Sequence, residues 1–279
     1  MTYESNKPVM LSVDDLSVRF GGVQALDQVA FDAREGELTA IIGPNGAGKT
    51  TLFNCMTGVY RPTSGKVVYR DKHVVTRLAQ HKIARLGVAR TFQNLALFQG
   101  LSVLDNLMVG RYLHGRSSVL KGMFYVGPAA KEDAALREYA EFIIDFLHLQ
   151  AYRHVPVGDL PYGLQKRVEF GRALCQQPDL LLLDEPMAGM AVEEKEDMAR
   201  FVLDCRDEFG MTIVLVEHDM GVVMDIAERV VVLDFGKLIA DDVPAVVQRD
   251  DAVIAAYLGP QYGRAAEEQG QTTPSAGST

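Results

Sequence analysis

A glycine-bearing loop set between a short apolar run and a helix-forming segment constrains this chain more than any other feature. The run is LTAII (38–42), the loop is GPNGAGKT (43–50), and the stretch that continues from it reads KTTLFNCMTG. Gly43, Gly48, Lys49 and Thr50 satisfy the spacing G-x-x-x-x-G-K-[ST], and strand, loop and helix fall in the order this pattern needs. Glycines let the backbone turn tightly, so that its N–H groups, at the positive end of the helix, point at phosphate oxygens. Residues Gly43, Pro44, Asn45, Gly46, Ala47, Gly48, Lys49, Thr50 and Thr51 are therefore expected to cradle the phosphates of a nucleotide. In this arrangement Lys49 supplies a cation at the β and γ phosphates, and the Thr50 hydroxyl is a ligand for Mg²⁺.

A second feature lies far along the chain, where LLLLDEP (180–186) places two carboxylates after an apolar run. If the run is a strand, Asp184 stands at its carboxyl end, where open α/β sheets bind ligands. Asp184 then suits a contact to Mg²⁺, direct or through water, and Glu185 suits polarising the attacking water. Alone, such a pair would be an ordinary solvated turn; with the phosphate loop it predicts nucleotide hydrolysis.

The runs LTAII, LLLL (180–183), TIVLV (212–216) and RVVVL (229–233) read as buried parallel strands. Met198, Phe201, Val202, Cys205 and Phe209, at spacings of three and four, predict an amphipathic helix between them. Alternation of this kind predicts a doubly wound α/β sheet. The segments LSVDDLSVRF, VAFDAREGELTAI and TSGKVVYRDK alternate like antiparallel strands, which predicts a small second sheet. From about 95 to 178 the periodicity turns helical, as at Leu136, Tyr139, Ala140, Ile143 and Leu147, and predicts a helical insertion. HGRSSVLKGMFYVGP (114–128) reads as a loop or short helix, and residues 263–279, small and polar, as a disordered tail.

Composition excludes several classes. With 279 residues, 48% of them apolar, the chain can bury one large core with a smaller subdomain. A net charge of −9 opposes a phosphate-neutralising surface, so no nucleic-acid partner is expected. Cys55, Cys175 and Cys205 are too scattered for a disulfide framework or a zinc site and read as buried thiols. The first residues have neither the basic start nor the apolar middle of a signal peptide, and no stretch approaches a membrane span. A membrane role would have to come through a partner.

By these motifs the chain resembles the ATP-binding subunit of an ABC transporter over roughly residues 10–259. That resemblance implies a P-loop NTPase core with a mostly parallel sheet, an N-terminal antiparallel β subdomain and an inserted helical subdomain, together forming one ATP-binding domain over 1–262. It implies roles for further residues. Phe20, in VRFGG, would stack on adenine. Gln93, in ARTFQN, would sense the γ phosphate and Mg²⁺ and touch the membrane partner. LPYGLQKRVEFGRAL (160–174) holds the place of the family signature, so Tyr162 and Gly163 would meet nucleotide. MAGMA (187–191) follows as the D-loop, and His218, in VLVEHD after the last core strand, would contact the γ phosphate. His73, His81, His114, His148 and His154 form no ligand cluster. Two departures stand out: Pro161 replaces the signature serine, and Ala191 the acidic residue usual at the end of the D-loop. In this family each ATP lies between the phosphate loop of one subunit and the signature of the other, which implies a dimer that closes on ATP.

RFGGVQAL, ARTFQN, LPYG, the AGM after DEP and the ending AVIAAYLG most resemble the ATP-binding subunits of branched-chain amino acid importers. The implied partners are two integral membrane permeases, a sister ATP-binding subunit or a second copy, and indirectly a solute-binding protein. The implied location is the cytoplasmic face of the cell membrane. The ATPase of lipopolysaccharide export, and a soluble ATPase serving an assembly machine such as iron–sulfur cluster building, remain as alternatives.

Overall fold

A computed structural model describes residues 6–91, 95–112 and 128–258. The long alternating segments at its N-terminal end pair as β1 (Val9–Phe20) and β2 (Val23–Arg34). They run antiparallel, with irregular register where Asp15 and Gln28 take positive φ. The turn at Glu35–Gly36 ends this pattern, and the chain crosses into a second sheet as β3 (Leu38–Ile42), buried throughout. The phosphate loop leads from β3 into α1 (Lys49–Met56). The chain returns to the first sheet through β4 (Ser64–Tyr69) and β5 (His73–Val74), giving four strands in the order β2-β1-β4-β5.

After α2 (Gln80–Arg85) and the short β6 (Val88–Arg90), the predicted helical region supplies α3 (Val103–Tyr112), α4 (Pro128–Phe146) and α5 (Tyr162–Leu174). Leu136, Ala140, Ile143 and Leu147 turn inward as their spacing predicts. The predicted loop at 114–128, apart from Pro128, which opens α4, and the predicted tail at 263–279 lie outside the described residues.

The chain then forms β7 (Leu180–Asp184), α6 (Val192–Asp207), β8 (Thr212–Val216), α7 (Met220–Ile226), β9 (Arg229–Asp234) and β10 (Lys237–Asp242). Two short helices, α8 (Pro244–Val247) and α9 (Asp251–Leu258), follow. The second sheet runs β10-β9-β3-β8-β7-β6. Its inner pairs are parallel and the β9–β10 edge is antiparallel.

Two-sided burial explains why these strands read as unbroken apolar runs rather than alternating ones. Leu180 and Leu182 pack with α1 and the antiparallel sheet, whereas Leu181 and Leu183 pack with the helical insertion and α6. Val214 and Val216 divide from Ile213 and Leu215 in the same way. Cys55, Cys175 and Cys205 are buried free thiols. Among the described residues no helix is long and apolar enough to cross a membrane.

One expectation is corrected. His218 does not follow the last core strand: β9 comes after it, and β8 lies inside the sheet between β3 and β7. Strand order in space differs from order along the chain, and this is what positions the site. The carboxyl ends of β3, β7 and β8 adjoin, so the phosphate loop, Asp184–Glu185 and the segment before α7 converge on one edge.

Candidate nucleotide site

The phosphate loop is anchored by its neighbours on both sides. Gly43 takes φ +151°, and a Cβ there would stand 2.1 Å from the Leu233 carbonyl oxygen of neighbouring β9; no larger residue fits without moving the sheet. On the far side of the loop, the Gly236 N–H donates to the Ala47 carbonyl at 3.0 Å. α1 opens with neither a side-chain cap nor an acidic residue in its first turn, which leaves its positive end to attract an anion. Lys49 Nζ donates to the carbonyls of Gly43 (2.5 Å) and Pro44 (3.1 Å). Burial pushes its pKa down, and the charges of Glu185 and Asp184 oppose that. Thr50 is exposed and Thr51 half-buried.

Asp184 ends β7 and is 2% exposed. Its Oδ2 accepts from Arg90 Nη2 at 2.7 Å, and its N–H donates to Thr91 Oγ1 at 3.2 Å. The same guanidinium donates through Nη1 to Asn54 Oδ1 (2.8 Å) and Thr57 Oγ1 (3.0 Å) on and beside α1. Arg90 therefore ties the helix of the phosphate loop to the carboxylate strand. Sequence reasoning missed it, because a single arginine ahead of Gln93 carries no periodic or motif signal. Gln93 itself lies outside the described residues.

Glu185 has φ 49°, a left-handed conformation that costs a non-glycine residue on the order of 1–3 kcal/mol. Its neighbours hold it there: its N–H donates to the Val216 carbonyl at 2.9 Å, and its own carbonyl accepts from Ala188 N–H at 3.2 Å and Lys166 Nζ at 3.4 Å. Strain held at a charged residue beside a phosphate loop fits a reacting group.

Past β8, the His218 side chain is 58% exposed between two anchored acids. Buried Glu217 accepts from Met187 N–H (3.0 Å) and His218 N–H (3.2 Å), and Asp219 accepts from Lys195 Nζ (2.7 Å). Burial raises the Glu217 pKa, while the two backbone donors oppose the rise. Lys195 holds that of Asp219 low. Glu217 was also missed, since at the end of an apolar strand it reads as a boundary residue.

Phe20, Tyr162 and Gly163 have surroundings of their own. Phe20, 47% exposed, meets Tyr60 edge-to-face at 5.2 Å between centroids. Tyr60 is a companion aromatic that sequence spacing did not reveal. Tyr162 opens α5 after Pro161, and its ring lies against Gly189. A Cβ on Gly163 would meet the carboxylate of Glu194 at 2.1 Å, so that glycine makes room for an acid reaching over from α6. Tyr162 and Gly163 thus lie against the segment 189–194.

Taken together, Lys49, Asp184 and Glu185 share one electrostatic environment, beside an uncapped helix end and within reach of the β8 terminus. Such an arrangement binds a phosphate chain and places a carboxylate next to it.

Comparison with known proteins agrees with this geometry. The family model described as ABC transporter matches residues 26–188. A second, described as branched-chain amino acid ATP-binding cassette transporter, matches 237–259, from β10 to the end of α9. The high-affinity branched-chain amino acid transport ATP-binding protein BraF of Pseudomonas aeruginosa is 39% identical over 91% of this chain and 99% of its own. LivG of Escherichia coli, described in the same words, is 36% identical over 90% and 98%. Among solved structures, a nucleotide-free ATP-binding cassette from an ABC transporter superimposes with a TM-score of 0.78 at 32% identity, covering 90% of this chain and 99% of that one. The ADP conformation of an ATP-binding cassette gives the same TM-score, identity and coverage. Motifs, strand order and near full-length similarity lead to one conclusion: the chain belongs to the ABC transporter family, as an ATP-binding, ATP-hydrolysing subunit of an importer.

Proposed function

We propose that this subunit powers uptake of branched-chain amino acids, or a related small solute, from the cytoplasmic face of the membrane. The observation that carries the substrate class is the match of residues 237–259 to the branched-chain amino acid model, joined to near full-length relatives named for that transport. Residues 1–262 form the ATP-binding domain and 263–279 a tail beyond it. The partners are two permeases, a sister ATP-binding subunit or a second copy, and, through the permeases, a solute-binding protein.

In this reading ATP lies with its phosphates on Gly43–Thr51 and its base on Phe20. Lys49, whose Nζ donates to its own loop carbonyls, also meets β and γ phosphate oxygens in this reading. Thr50, Gln93 and Asp184 would hold Mg²⁺, which neutralises phosphate charge when bound. The donors fit that ion: they are hard oxygen ligands, and the described residues gather no cluster of three or more His, Cys, Asp or Glu. Nucleotide oxygens and water would therefore complete the shell, as Mg²⁺ prefers. Glu185 accepts a proton from the attacking water, and His218 contacts the γ phosphate. Tyr162 and Gly163 meet the nucleotide of the opposite subunit through the N-terminal turn of α5.

The test is to tag the chain in its native host, solubilise the membranes gently and identify what co-purifies. Two polytopic permeases and a second ATPase are expected, with loss of branched-chain amino acid uptake on deletion. Recovery of soluble partners alone would overturn the importer reading for an assembly ATPase.

A further inference from the structure

His218 is an exposed side chain on a segment pinned at both neighbours to a single stretch of chain. On one side, Glu217, 1% exposed, accepts the N–H of Met187 with Oε1 and that of His218 with Oε2. On the other, Asp219 accepts from Lys195, on α6. Both anchors therefore lie within 187–195, the stretch that follows Glu185 and packs through Gly189 and Glu194 on Tyr162 and Gly163. A carboxylate has acceptor capacity for several donors at once, and two backbone N–H groups directed into a single buried one fix each other's place.

We propose that Glu217 is a positioning residue that makes the stretch after Glu185 and the His218 segment move as one body. Whatever displaces Met187 as the opposite subunit docks then moves the His218 backbone by the same carboxylate. His218 reaches the γ phosphate only when the stretch at 187–195 is seated. Glu217 touches neither nucleotide nor water in this arrangement; it acts through His218. The inference rests on the role assigned to His218 under the proposed function.

The experiment is a double-mutant cycle on ATP turnover by the full chain with its co-purified partners, comparing Glu217→Gln, His218→Ala and both together. Glutamine keeps the shape and one acceptor but turns an N–H₂ toward one of the two backbone donors. We expect Glu217→Gln to lower kcat roughly tenfold, as loss of a supporting hydrogen-bond partner does, with the affinity for a fluorescent ATP analogue unchanged. We expect the double variant to be no slower than His218→Ala alone. Losses that multiply would overturn the proposal, because a carboxylate acting only on general stability is independent of His218. Unchanged turnover in Glu217→Gln would overturn it as well. An unaffected His218→Ala protein would remove the assignment of His218 beneath it and is distinguishable as such. Should Glu217→Gln fail to fold, Asp219→Asn probes the other anchor, which is partly exposed; it should slow turnover less and be equally non-additive with His218→Ala, and additivity there would count against the proposal.

Discussion

At the scale of the residue, the site depends on charges held where water would not leave them. Burial pushes the pKa of Lys49 down, and the charges of Glu185 and Asp184 oppose that shift. Lys49→Ala should therefore abolish tight nucleotide binding itself, read as at least a tenfold rise in the Kd for ATP by fluorescence titration. Glu185→Gln should keep that affinity while turnover nearly vanishes, because the water loses its base and the loop is untouched. Unchanged turnover would sink the assignment. Cys55 and Cys205 offer a different check, since burial raises both thiols, that of Cys55 to about 11. They should resist alkylation at pH 8 in the native chain and react once it is unfolded in urea. Legibility at this scale divides by distance along the chain. Gly43, Lys49, Thr50, Asp184 and Glu185 sit in contiguous words that carry their own context. Arg90 and Glu217 do not: their partners lie 94 and 30 positions away, and nothing local marks either as special.

At the scale of the element, what joins the parts is a small number of buried contacts. Arg229, at the start of β9, grips Asp241 of β10 with two bonds of 2.6 Å and reaches the Asp32 carbonyl of β2 at 2.5 Å. That one guanidinium spans both sheets and the strand that leads to α8 and α9. Removing Asp241 takes away its carboxylate partner while the guanidinium stays buried, so Asp241→Ala should destabilise the chain by about 3 kcal/mol in urea denaturation. Asp241→Asn, which keeps an acceptor, should lose less. The α5 terminus makes a second case. Gly163→Ala brings a Cβ onto the Glu194 carboxylate, the far end of a flexible side chain that can swing aside, so it should lower the thermal midpoint only slightly, by about the loss of the Glu194 bond to the Ala191 N–H. Elements were legible where burial imposed a period or erased one. β3, β7, β8 and β9 are apolar on both faces and stood out as runs. β6 spans Val88–Arg90 and is too short to show a pattern, and β10, KLIADD, is half-buried with its three apolar residues flanked by charged ones, so neither announced itself.

At the scale of the whole molecule, the proposed reading asks for two copies of the site's parts. Lys49, Asp184 and Glu185 gather at the carboxyl ends of β3 and β7, whereas Tyr162 and Gly163 pack on the segment 189–194 of their own chain. In the proposed reading a nucleotide touches both groups, one of them supplied by a second subunit. Strand order hid this from the sequence: β3 pairs with β8 and β9, not with its neighbours along the chain, and only that crossing sets the phosphate loop beside the carboxylates. The resemblance to transporter subunits, rather than any run of residues, pointed to a dimer. The prediction that follows is about mass. Glu185→Gln binds ATP without consuming it, so adding ATP to this variant with its co-purifying ATPase should shift both to a dimer by light scattering, reversed when the nucleotide is removed. Lys49→Ala should not shift, because the ligand that bridges the two halves is missing. If Glu185→Gln holds ATP tightly and still shows only monomer mass with the mate present, then Pro161 and Ala191, at the signature and at the end of the D-loop, have weakened the closing face. The opposing halves would then have to be held together by the permeases instead.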